Sequence, residues 1–199
     1  MQYGRLTWPL PDEYRPEQRQ VYETIVGGPR AKDARTLPVT DADGRLYGPF
    51  TPMLANPRIA DIVQMLGAAV RYEIDLTPRA REIATLAVAA AKRSNFEWFA
   101  HELLARRAGL TDDELNHLLA GRPAPSFDAY EDLVWRVVTA LVQSSDLDDS
   151  QFAEARAMLG DVGIVDLVTL VGHYELLSRS LRVWRTPLPE GAEEKFPHD

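Results

Sequence analysis

The sequence predicts an all-α protein, in which a helical bundle follows a Pro-rich, loop-rich N-terminal segment. Eight of the fourteen prolines lie within the first 57 residues, where each fixes φ and removes a backbone donor. From Asn56 onward, helix caps alternate with apolar residues at helical spacing. Apolar residues make up 45% of the chain, the usual proportion in a globular protein.

Three segments follow from these patterns. Residues 1–56 are predicted to form an N-terminal arm with one helix and a long loop, residues 57–187 a helical domain, and residues 188–199 a loose polar tail. A chain of 199 residues fits one domain and buries roughly 70% of its unfolded surface, so it needs neither a disulfide nor a metal to fold.

The N-terminal arm carries two local signals. One helix is predicted from Pro16 to just before the Gly27-Gly28 pair, because proline suits the first position of a helix. The Asp43-Gly44 pair predicts the turn of a short hairpin.

Caps and glycines set the helices of the main domain. Helices are predicted from residue 57 through at least 70, over 78–92, from 94 or 95 to 109, from 111 to about 121, and over 127–143, 149–159 and 163–184. The last of these is apolar on most sides, so we expect it at the centre of the bundle.

The charge of the chain argues against a nucleic-acid partner. Thirty acidic side chains face 22 basic ones, which gives a net charge of −8, and no basic stripe is interleaved with aromatic residues. No run approaches the roughly 20 apolar residues of a membrane span, and no N-terminal stretch has the length of a signal peptide. We therefore expect a cytoplasmic protein with no nucleic-acid partner and no membrane partner.

Glu97 and His101 are the first candidates for chemistry. At 100° per residue they share one helix face with the apolar residues Leu104 and Ala108. Their i, i+4 spacing allows direct contact, and a carboxylate beside an imidazole in a poorly solvated place perturbs both pKa values. Proton transfer near neutral pH requires such groups. The alternative is an ordinary helix-stabilising pair worth about 0.2–0.5 kcal/mol.

Glu82 and His173 are further candidates on other helices. Glu82 lies on the apolar side of its helix, and a short connection to the next helix would bring it within range of Glu97 and His101. The alternative for Glu82 is an ion pair with Arg79 or Arg93, which share its side. For His173, on the last helix, the alternatives are a site residue and a satisfied core histidine.

The sequence predicts no cofactor. Cysteine is absent, which excludes thiolate ligands and thiol nucleophiles, and no Gly-rich phosphate loop or G-x-S-x-G motif is present. Glu82, Glu97 and His101 would make a poor zinc set, because they include one histidine and no cysteine, so no metal is predicted.

Three stretches resemble the carboxymuconolactone decarboxylase family, which shares an all-helical fold with the alkylhydroperoxidase D proteins. They are REIATLAVA at 81–89, FEWFAH at 96–101 and ARRAGL at 105–110. The signature of the peroxidase branch is a glutamate, eleven residues, and then C-x-x-C-x-x-x-H. Here Glu82 takes the glutamate place, Ser94 and Glu97 the two cysteine places, and His101 the histidine place.

The resemblance implies a cofactor-free acid–base enzyme. Because both cysteines are replaced, the thiol peroxidase activity is not carried over, and the chain is similar to the decarboxylase-like branch. The implied reaction is a carbon–carbon lyase step, the decarboxylation of a small carboxylated lactone or ring-cleavage acid. His101 would be the acid–base group, Glu97 its orienting partner, and Glu82 a proton donor kept protonated by burial. The same groups would serve a hydratase, dehydratase or isomerase.

The substrate and oligomer expectations complete the prediction. Arg79 or Arg93 would hold the carboxylate of a small-molecule acid or lactone. Ser94, Trp98 and His173 are the other candidate substrate-binding residues. The resemblance also implies a homo-oligomer, a trimer or a hexamer. The rival interpretation is a non-catalytic helical oligomer or ligand-binding protein that kept the fold. In that case, we expect side chains to fill the pocket.

Overall fold

The computed structural model describes residues 2–30 and 38–197 of the chain. A two-stranded antiparallel hairpin comes first, formed by β1 (Gln2–Tyr3) and β2 (Leu6–Thr7), and a 3-10 turn follows at Pro11–Glu13. The helices are α1 (Pro16–Gly27), α2 (Phe50–Met53), α3 (Pro57–Tyr72), α4 (Pro78–Ala91), α5 (Asn95–Arg107), α6 (Asp112–Leu119), α7 (Ala129–Ser144) and α8 (Asp149–Trp184). The predicted all-α class is confirmed.

The predicted caps start several helices. Thr77 accepts a hydrogen bond from the backbone of Ala80 at the start of α4, and Thr111 accepts one from Glu114 at the start of α6. Gly109 has a φ of +94°, the left-handed conformation predicted for the glycine that follows α5. These local signals therefore set the helix boundaries to within a few residues.

The centre of the bundle is α4, which corrects the expectation for the last helix. Residues 82–89 of α4 are all buried, and the helix packs against α5, α6, α7 and α8. By contrast, α8 buries one face and exposes apolar side chains on the other, including Val162, Val165 and Leu176. The two predicted terminal helices form α8, interrupted at Gly160, where φ is +66°. Within the described ranges, no helix has the length and apolar character that a membrane crossing requires.

The N-terminal arm packs against the end of α8. The Arg5 amide donates to the Trp184 carbonyl oxygen at 2.8 Å. The hairpin predicted at Asp43-Gly44 is reduced to one bridge between Thr40 and Leu46. The short β1–β2 hairpin had no counterpart in the sequence prediction.

The C-terminal tail is anchored, so the expectation of a loose tail was wrong. The side chain of Phe196 is buried, with its ring centroid 5.8 Å from that of Trp98. Asn95 holds the backbone here, because its Oδ1 accepts from the Lys195 and Phe196 amides and its Nδ2 donates to the Phe196 carbonyl oxygen. One aromatic residue in a polar segment is enough to dock it on the bundle.

Candidate active site

The connection between α4 and α5 brings Glu82 to His101. The two helices are joined by residues 92–94 and fold back on each other, with Arg93 in the left-handed conformation at φ +51°. His101 Nδ1 lies 2.7 Å from Glu82 Oε2, and both side chains are buried. The short connection expected from the sequence thus places these two residues in contact.

Glu82 is a carboxylate. Burial by itself raises the pKa of Glu82, but the charge and hydrogen bond of His101 and the charge of Arg81 outweigh it and lower the pKa below its ordinary value. Arg81 Nε lies 3.3 Å from Glu82 Oε1. The expectation that burial keeps Glu82 protonated was therefore wrong, because it neglected the hydrogen bond with His101 and the charge of Arg81.

Glu97 is the carboxyl group that burial keeps neutral. Its side chain is buried, and desolvation raises the pKa of Glu97 to about 8, although the charge of Arg71 acts in the opposite direction. Glu97 Oε1 has no hydrogen-bond partner among the described residues. Its Oε2 lies 3.8 Å from His101 Nε2, beyond a direct hydrogen bond.

These contacts exchange the roles expected for the two glutamates. The carboxylate that orients His101 is Glu82, because it accepts from Nδ1, and not Glu97. An Nδ1–H donated to Glu82 leaves the Nε2 of the neutral imidazole with its lone pair on the side of Glu97. A base and a neutral acid therefore face each other across a short gap.

A cavity opens in front of this pair. Its volume is about 70 Å³, and it is partly open to solvent. Glu97 and His101 line it from α5, His173 and Tyr174 from α8, and Arg71 from α3. Tyr174 meets the edge of the His101 ring, with centroids 4.9 Å apart, and burial raises the pKa of its hydroxyl.

Arg79 and Arg93 do not line the cavity, which corrects their assignment to substrate binding. Arg79 is held by Glu131 at 2.7 Å and by Glu114 at 2.8 Å, where it ties α4 to α6 and α7. Arg93 is exposed in the α4–α5 connection and donates to the Pro197 carbonyl oxygen at 3.0 Å. Both arginines make structural contacts instead.

Ser94 and Trp98 are likewise absent from the cavity wall. Ser94 is buried as the residue before the first turn of α5. Trp98 is buried in the core formed by α4, α5 and α6, and its Nε1 donates to Glu102 Oε2 at 3.0 Å. Their assignment to substrate binding is corrected accordingly.

His173 does line the cavity. Its side chain is buried, and desolvation, together with the charges of Arg30 and His101, lowers the pKa of His173 to about 4. The ring is neutral at physiological pH. Its Nδ1 has no hydrogen-bond partner among the described residues, so it is not a satisfied core histidine within that part of the chain.

Sequence reasoning missed Arg71 and Arg30, two buried arginines in the cavity wall. A signal for Arg71 was available, since Gln64, Gly67 and Arg71 follow at helical spacing on one side of α3 and interrupt its apolar pattern. Arg30 lies in a 3-10 turn after α1, beyond the apolar periodicity of that helix. Only the tertiary structure brings it to the cavity.

The sequence also matches a known family. Residues 57–140 match the model of the carboxymuconolactone decarboxylase family. Over these residues, the chain is similar to that family. The matched segment runs from α3 into α7 and contains Glu82, Glu97 and His101, whereas Arg30 and His173 lie outside it. Among curated proteins, none matches the sequence at a significant level.

Solved structures share the fold beyond the family segment. A peroxidase-related protein from Ralstonia eutropha, an alkylhydroperoxidase AhpD core, has a TM-score of 0.75 at 13% identity, over 96% of this chain and 94% of its own. A putative antioxidant defence protein AhpD from Agrobacterium tumefaciens has a TM-score of 0.63 at 22% identity, over 69% and 94%. A debrominase in complex with 2,3,4-tribromopyrrole has a TM-score of 0.67 at 12% identity, over 88% and 87%. The fold is therefore AhpD-like.

Proposed function

We propose that this protein is a cofactor-free acid–base enzyme that acts on a small carboxylated lactone or a related compact organic acid. The observation that carries the proposal is that a neutral Glu97 faces the Nε2 of His101 in the wall of one small cavity. A base and an acid that lie beside the same bound molecule can remove a proton at one atom and deliver one at another.

Decarboxylation is the reaction that fits the family segment and these groups. The carbon–carbon bond to the substrate carboxylate breaks, CO2 leaves, and the electron pair moves into the lactone carbonyl as an enolate. Glu97 delivers its proton to the carbon as the enolate collapses. His101 then returns a proton from solvent to Glu97, so that one proton is consumed for each CO2 released.

Arg71 supplies positive charge for the enolate. Its guanidinium lines the cavity, and its charge acts on the carboxyl group of Glu97. Fixed positive charge near a developing oxyanion lowers the barrier most in a poorly hydrated site. Glu82 holds the His101 ring in one orientation and stabilises its protonated form during the transfer.

The rival is a non-catalytic helical oligomer or ligand-binding protein that kept the fold. It predicted a pocket filled by side chains, and the open cavity favours a site that admits a small molecule. The fold itself does not decide between substrates, since a debrominase shares it. Hydration, dehydration and isomerisation would use the same acid and base, so the proton-transfer step is the part that a test must address.

The experiment is to compare the purified protein with Glu97→Gln and His101→Ala. Turnover of carboxymuconolactone is followed by CO2 release, and replacement of carbon-bound hydrogen by deuterium in D2O is followed by NMR. We expect each variant to lose at least about 10²-fold in rate, because each removes one proton carrier.

The control is His117→Gln, a histidine outside the cavity that contacts the Asp113 carbonyl oxygen. It should retain the rate of the unchanged protein. Equal rates for the unchanged protein, Glu97→Gln and His101→Ala would remove the catalytic proposal.

A further inference from the structure

Arg30 is a buried cation whose described partners are all neutral. Its side chain is 5% exposed, and it donates to the Gln64 carbonyl oxygen at 2.9 Å and to Gln64 Oε1 at 3.3 Å. Its guanidinium carbon lies 5.1 Å from the centre of the Phe50 ring. Burial and the charge of Arg71 lower the pKa of Arg30. A buried charge among neutral partners is costly, so the described surroundings of Arg30 favour an anion.

Gly67 shapes the cavity wall at the same point. A Cβ added to Gly67 would lie 2.8 Å from His173 Nε2 and 3.0 Å from Arg30 Nη2. The guanidinium and the imidazole therefore both pack against the Gly67 backbone, at a distance that only glycine allows. His173 brings no positive charge of its own there, since its ring is neutral, and its unpaired ring nitrogen adds a second polar group.

We propose that Arg30, His173 and Gly67 form a carboxylate-binding corner of the cavity, separate from the proton-transfer pair Glu97 and His101. The inference rests on the proposed function only for what happens to the bound acid, namely that Glu97 and His101 convert it to product. Arg30 and His173 lie outside the family segment at 57–140. The parts of the chain before and after that segment thus select an anionic ligand for the chemistry within it.

The test uses three probes that share one carbon chain and carry two, one and no negative charges: glutarate, its monomethyl ester and its dimethyl ester. Isothermal titration calorimetry measures their affinity for the unchanged protein, Arg30→Met and Gly67→Ala. Arg30→Met removes the charge, whereas Gly67→Ala keeps it and fills the corner. The unchanged protein should bind glutarate more tightly than the dimethyl ester, and both variants should bind glutarate at least about tenfold more weakly, the loss expected for one hydrogen-bonded charge.

The matched control is Arg58→Met, which removes an exposed arginine at the other end of α3 and should leave the affinity unchanged. Thermal unfolding without ligand adds a second readout, because a Tm for Arg30→Met close to that of the unchanged protein would show that the loss of affinity does not come from loss of the fold. The carboxylate-binding proposal would be overturned if Gly67→Ala and Arg30→Met bound glutarate as tightly as the unchanged protein. It would also be overturned if the unchanged protein did not bind glutarate.

Failure of the proposed function has a different signature. His101→Ala should retain glutarate binding while it loses turnover. If the unchanged protein shows no turnover but Arg30→Met still weakens glutarate binding, the carboxylate corner stands and the enzymatic proposal falls.

Discussion

Glu82 and Glu97 show how neighbours set the charge of two equally buried carboxyl groups. Glu82 contacts His101 at 2.7 Å and Arg81 at 3.3 Å, and these contacts keep it ionised. Glu97 has an oxygen without a described partner, and desolvation keeps it neutral. The division into an orienting carboxylate and a proton-bearing acid follows from these contacts alone.

Glu97→Gln should change how stability depends on pH. Burial raises the pKa of Glu97 from 4.5 to about 8, so between these pH values the folded state holds a proton that the unfolded state has lost. The free energy of unfolding therefore falls as pH rises through this window, by on the order of 1.4 kcal/mol per pKa unit at full titration. The amide of Glu97→Gln does not titrate, so the variant should not lose stability in this way as pH rises.

Urea unfolding at several pH values measures the effect. Glu97→Gln and the unchanged protein should have similar stability near pH 4.5, and the variant should be more stable by a few kcal/mol near pH 8. A constant difference across the range would show that Glu97 does not titrate there.

Sequence reasoning could predict which residues meet, but not their protonation. The meeting of Glu82 and His101 followed from two helix faces and one short connection. The protonation states depend on Arg81 and Arg71, and the position of Arg71 against Glu97 depends on how α3 packs. The roles of the two glutamates were therefore exchanged in the sequence prediction.

At the scale of elements, the loop before α2 closes the cavity against α5. Gly48 has a φ of +61°, and its amide donates to the Tyr3 hydroxyl at 2.8 Å. A Cβ at this position would clash with the Phe96 ring. Phe96 and the next residue after Gly48, Pro49, both line the cavity. This glycine therefore sets the approach of the N-terminal arm to the site.

Gly48→Ala should destabilise the protein by about 1–3 kcal/mol, through backbone strain and the clash with Phe96. Gly172→Ala is the matched control, since it lies within α8 with open space around it and should be neutral or slightly stabilising. Urea unfolding compares the two. Equal stabilities would mean that the arm adapts without cost.

The difference between local and long-range contacts explains which elements the sequence predicts. The long helices carry caps and repeated apolar positions, so α1 and α3 to α8 could be located from local signals. The β1–β2 hairpin has strands of only two residues each. It depends on the hydrogen bond between Arg5 and Trp184, which is far along the chain. No local pattern contains that information.

At the scale of the whole molecule, an acidic protein encloses a cationic cavity. The net charge is −8, yet Arg30 and Arg71 lie buried in one wall. The arginines come from the arm and from α3, the acid and base from α5, and His173 from α8. The homo-oligomer implied by the family resemblance stays a prediction. The apolar outer face of α8, with Val162 and Val165, is a surface on which to look for it.

Glu97 is buried only in the complete fold. The pKa of its carboxyl group therefore tests most directly the claim that a neutral acid faces His101. Titration of the Glu97 carboxyl carbon by ¹³C NMR, assigned by its loss in Glu97→Gln, reports its protonation in the intact protein. We predict a midpoint near pH 8. A midpoint near 4.5, the ordinary value of a glutamate, would mean that no neutral acid faces His101 at physiological pH, and would contradict the proposed chemistry.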